Sequence, residues 1–164
     1  MNLNWRKTLL LLGIVISLIV IATGCGTEAF STNQINPIEK EKISVVFINK
    51  GSSQQEIIDK GMISEIIDNL NNVRVKKISQ DEDTKILDSG NALKKNSTII
   101  IHLLNNTNSD FMSIAILLSE KELLLPDVKS MKSSKYTASY LSDIDETTLK
   151  SIKALYSLAE KNIK

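Results

Sequence analysis

An uncharged apolar run from Leu9 to Ala22, about fourteen residues long, stops just short of the chain's single cysteine, Cys25. Arg6 and Lys7 precede the run, and the small residues Ala22, Thr23 and Gly24 lead into the cysteine. A cationic start, a short apolar stretch and a small-residue exit are the three regions of a cleavable secretory signal. Roughly twenty apolar residues are needed for a helix to cross the hydrocarbon core, so this run is short for an anchor. Admitting Thr8, Thr23 and Gly24 to the span makes an uncleaved anchor the alternative. Arg6 and Lys7 would hold the amino end on the cytoplasmic side. This feature constrains the fold first, because it removes residues 1–24 from it.

The stretch Ile21-Ala22-Thr23-Gly24-Cys25 resembles the lipobox of bacterial lipoproteins. The resemblance implies a diacylglycerol on the Cys25 thiol, cleavage just before Cys25, and an N-acyl chain such as palmitate as a further option. Ala22 departs from the Leu that is commonest at its place, a substitution the family tolerates. A lipoprotein would sit on the extracytoplasmic face of the cell membrane, and two or more acyl chains would hold it there stably.

Cleavage leaves 140 of the 164 residues, the size of one ordinary domain. Losing Arg6 and Lys7 takes the basic count from 20 to 18, against 19 acidic residues. A near-neutral chain has no field for attracting nucleic acid. With Cys25 as the sole cysteine, disulfide frameworks, zinc ribbons and CxxC redox sites are excluded by count. Beyond the signal there is no Trp, so the core must come from Ile, Leu, Val and Met.

Gly26 to Lys42 is polar, aperiodic and contains Pro37, which predicts a tether over residues 25–42 and a single domain over 43–164. Ile43–Asn49 is β-branched and bounded by Lys50-Gly51-Ser52-Ser53, predicting a hairpin with Gln54–Ile58. Asp59 fits a helix N-cap, and Ile63, Ile66, Ile67 and Leu70 make one helical stripe. Val73–Ile78 offers another strand. Ser79 and Glu82 have capping-box spacing before a short helix that Gly90 would end. Thr98–Leu104, Phe111–Leu118 and Glu122–Leu125 predict a meander, followed by Tyr136–Leu141. A last helix is capped by Ser142 or Asp143 and carries the stripe Leu149, Ile152, Leu155, Tyr156, Ala159 and Ile163. The sum is an α+β domain: a mainly antiparallel sheet of six or seven short strands, with two main helices on one face in two layers.

This order resembles that of small YhfM-like lipoproteins of Gram-positive bacteria. The likeness is carried by Gln55–Lys60 running into Ile63–Ile67, and by Tyr136–Leu141 followed by Asp143–Leu155. It spans most of the mature chain and implies a fold, with no activity or functional residue to carry over.

Chemistry-bearing residues are sparse. His102, the only histidine, shares a strand face with Ile100 and Leu104 and has no marked catalytic or metal partner. Asp81-Glu82-Asp83 and Asp143-Ile144-Asp145-Glu146 lack the Gly and distal Glu of a calcium loop, and both stand where helix starts favour negative charge. Lys129, Lys132, Lys135, Tyr136 and Tyr140 form a candidate contact surface. These observations predict no metal, no cofactor beyond the lipid and no enzymatic activity. The expected role is a non-enzymatic binding domain at the cell envelope, partnered by the membrane and an envelope protein. A small-ligand or substrate-capture lipoprotein and a carboxylate-based hydrolase are the alternatives.

Overall fold

The computed structural model describes residues 37–89, 91–105, 111–128 and 139–163. Strands β1 (Ile43–Lys50) and β2 (Ser53–Ile57) form a hairpin, followed by helix α1 (Lys60–Asn71) and strand β3 (Val75–Lys77). Helix α2 (Gln80–Thr84) runs into a π turn at Lys85–Ser89 and a 3₁₀ turn at Ala92–Lys94. Strands β4 (Ile99–Asn105), β5 (Phe111–Ser119), β6 (Glu122–Pro126) and β7 (Ser139–Ser142) follow, then helix α3 (Glu146–Asn162).

The strands make one seven-stranded sheet in the order β2-β1-β4-β5-β6-β7-β3. Every neighbouring pair is antiparallel, as the meander predicts. Because β2 and β3 form the two edges, the connection through α1 crosses the whole sheet. The connection through α2 then returns from β3 to β4 over the opposite face. Opposite crossings on opposite faces share one hand, in line with the uniform chirality of such connections.

Alternation along the strands separates two cores. On one face Val46, Ile48, Ile99, Ile101, Leu103, Leu117 and Leu123 are fully buried under α1 and α3. The stripe predicted for α1 points there intact, and Asp59 caps that helix by accepting from the Met62 N–H at 2.8 Å. Lys50, at the end of β1, meets Glu160 of α3 at 2.6 Å, and this hydrogen bond raises the lysine's pKa. On the other face Ile78, Ile116 and Leu124 form a smaller cluster with half-buried Ile86 and Leu87 of the α2 segment. The two long helices therefore lie together as expected, and α2 adds cover on the face that strand periodicity leaves unassigned.

Two local expectations change. The cap of α3 is Asp145, whose side chain accepts from the Thr148 N–H, not Ser142 or Asp143. Ser142 is taken up by β7, where its Oγ accepts from Leu123 N at 3.0 Å, and Asp143 N donates to the Arg74 carbonyl. The inward face of α3 consequently includes Thr148 and Ser151, both buried, while Leu149 is half-buried. At the other end, ordered packing begins before Ile43. The Asn71 amide accepts from Ile38 N at 2.8 Å and donates to the Ile38 carbonyl at 3.1 Å. Lys40 pairs with Asp68 at 2.6 Å, and Ile38 rests against the main core. Gly90 lies outside the described residues.

Candidate functional site

The predicted site residues divide into those the structure describes and those it does not. Ala22, Thr23, Gly24 and Cys25 lie outside the described residues, as do Lys129, Lys132, Lys135 and Tyr136. Tyr140 stands on β7 in register with Leu125 on one side and Lys77 on the other. It packs against the main core as a partly buried residue, so its ring serves the rim of the helix-covered face.

His102 occupies the middle of β4, on the face away from α1 and α3. Its cross-strand neighbours are Phe47 on β1 and Ile114 on β5. Burial alone lowers its pKa from the ordinary 6.5, so the ring is neutral at neutral pH. At this position the imidazole stands between two apolar cross-strand neighbours and can take part in packing and hydrogen bonding on this face of the sheet.

Both acidic clusters are engaged by helix starts. Ser79 and Glu82 form a complete capping box: Ser79 Oγ accepts from Glu82 N at 3.3 Å, and Glu82 Oε2 accepts from Ser79 N at 3.0 Å. The bonds from Ser79 hold the Glu82 carboxyl below its usual pKa. Asp145 takes both the Thr148 hydroxyl at 2.6 Å and the Thr148 N–H at 3.1 Å, and these bonds lower its pKa in the same way. Thr148 Oγ1 in turn accepts from Arg74 N at 3.0 Å, joining α3 to the start of β3. Among the described residues no cluster of three or more His, Cys, Asp or Glu could hold a metal ion.

A feature that residue type did not announce is the contrast between the two sheet edges. At β3 the bonds from Asp143 N to Arg74 O and from Ile78 N to Ser139 O turn Arg74, Lys76 and Ile78 toward β7. That leaves the backbone groups of Val75 and Lys77 facing outward, flanked by the exposed Arg74, Lys76 and Lys77. Short length and cationic side chains are the usual means of blunting a strand edge. The β2 edge is longer and reads Ser53-Gln-Gln-Glu-Ile57, with neither Lys nor Pro. Strand periodicity carried the signal, but only the strand order tells which strands are edges.

Among the described residues no helix is long and apolar enough to cross a membrane. No family model, curated protein or solved structure matches the chain.

Proposed function

We propose that the chain is a lipoprotein, acylated on Cys25 and held on the extracytoplasmic face of the cell membrane, whose domain is a non-enzymatic interaction module. The observation that carries the reading is Ile21-Ala22-Thr23-Gly24-Cys25 at the end of an apolar run too short to span comfortably. The interaction role is supported by how the reactive side chains are used. Glu82 and Asp145 close helix starts, and His102 sits between Phe47 and Ile114. With Ile38 held by Asn71, the stretch left to act as tether is residues 26–37.

Two measurements test the two halves of the reading. Cys25→Ala should abolish acyl labelling and leave a larger, unprocessed precursor; an unlabelled wild type would overturn the anchor. Crosslinking in intact cells with the full chain as bait should recover a dominant protein partner. Turnover of a cell-envelope substrate by the purified protein, lost on substitution of a described side chain, would overturn the interaction reading.

A further inference from the structure

The hairpin geometry determines which groups β2 turns outward. Lys50 pairs with Ser53 across the two-residue turn Gly51-Ser52, and Gly51 has the positive φ of 58° that the first position of a type II′ turn needs. Residues flanking a two-residue turn exchange hydrogen bonds, and bonded pairs recur at every second position. Ser53, Gln55 and Ile57 therefore bond to β1, leaving the N–H and C=O groups of Gln54 and Glu56 on the outer edge. One side-chain bond agrees with this: Gln55 Nε2 donates to the Glu56 carbonyl at 2.8 Å, covering an acceptor that β1 does not use. Gln54 and Glu56 are exposed, and Ile58 beyond them is 70% exposed.

We infer that the outer edge of β2 pairs antiparallel with the same edge of a second copy of this chain, about a two-fold axis at Gln55. This register bonds Gln54 to Glu56 of the other copy, and Glu56 to its Gln54. All four outward backbone pairs are then used, and each carboxylate stands opposite an amide. Centring the axis on Glu56 instead would set two carboxylates against each other, which opposes pairing. The contact is isologous and closed, so it stops at two copies. The β3 edge, guarded by Arg74, Lys76 and Lys77, does not compete.

Five residues of edge bury less than a standard stable interface. The pairing is therefore weak in dilute solution and is populated where copies are concentrated on one surface, as linked or co-anchored partners are. In this respect it rests on the proposed membrane anchoring of an interaction domain.

The test is oxidation, in intact cells, of full-chain variants that each carry one introduced cysteine besides Cys25. At the axis, facing residues of a non-bonded pair have Cα atoms about 4.5 Å apart, inside the roughly 4.4 to 6.8 Å range of disulfides. Gln55→Cys should give several-fold more disulfide dimer than Ser53→Cys on the same edge or Lys76→Cys on the other. Adding Glu56→Pro to Gln55→Cys removes an outward N–H without touching the bonds to β1, and should return the dimer to the level of the controls while the circular-dichroism spectrum stays unchanged. Equal dimer in Gln55→Cys and Lys76→Cys overturns the pairing. So does a Gln55→Cys disulfide formed chiefly with another envelope protein, which would assign the edge to a different occupant. The wild type separates this outcome from failure of the anchor: an acylated Cys25 cannot form a disulfide, so a wild-type dimer would overturn the anchor and leave the edge to be read in the Cys25→Ser background.

Discussion

Ile100 and Ile101 are neighbours on β4, one on each face of the sheet, and their surroundings differ. Ile101 is fully buried beneath two long helices whose apolar stripes interleave with seven strands. Ile100 is half-buried and shares a much smaller cluster covered by Ile86 and Leu87. The same β-branched side chain thus supports the fold on one face and lines a thinner layer on the other. The lesson is that apolar alternation states that both faces want cover, while the connections decide how much each receives. A twelve-residue helix crosses the first face and a five-residue helix the second.

The comparison can be broken at its strongest point. Ile101→Ala should lower stability by about 3–5 kcal/mol, since it opens a cavity between closely packed helices and strands. Ile100→Ala should cost about 1–2 kcal/mol, because its surroundings are partly solvated and can close over the loss. Urea midpoints with unchanged slopes would measure both. Equal losses would show that the α2 side is packed as firmly as the helix side.

A smaller effect tests what holds α2 in place. Ser79→Ala removes one half of the capping box and should cost about 1 kcal/mol, read in the same urea experiment. It should also speed hydrogen exchange locally around α2 ahead of β4, since short segments open at lower free energy than the core. Uniform exchange throughout would mean that α2 is part of the central cooperative unit.

The smallest effect expected is a pH dependence. Burial lowers the His102 pKa in the folded state, so the unfolded chain binds its proton first as pH falls. The contribution to stability is complete above the ordinary value of 6.5 and is lost as pH falls through the lower folded value. His102→Gln should flatten the stability profile in that window. It should leave the more acid limb, where Glu82 and Asp145 lose their cap bonds as pH falls below their ordinary values of 4.5 and 3.8 toward the lowered ones. An unchanged profile as pH falls below 6.5 would remove His102 as a source of pH sensitivity.

Much of the fold was legible because local rules and tertiary packing agree. Ile63, Ile66, Ile67 and Leu70 recur at helical spacing and meet the core as predicted. Ser79 and Glu82 announce a capping box and form one. The start of α3 was misplaced because Ser142, Asp143 and Asp145 are all plausible caps. Leu123 draws Ser142 into the sheet, and Arg74 takes both Asp143 and Thr148, which leaves Asp145 to cap. Those partners are far apart in sequence, so no local pattern contains the choice. The docking of Ile38 on Asn71 is hidden for the same reason.

By itself, the sequence determined the class of core, the turn at Gly51-Ser52 and most helix stripes, since each depends on residue type at short spacing. Tertiary structure alone decided which strands became edges, which face received the long helices, and that β2 presents Gln54 and Glu56 outward while β3 is guarded by cations. Strand order depends on long-range pairing, and a strand's own residues carry no record of whether a neighbour will stand on both sides of it.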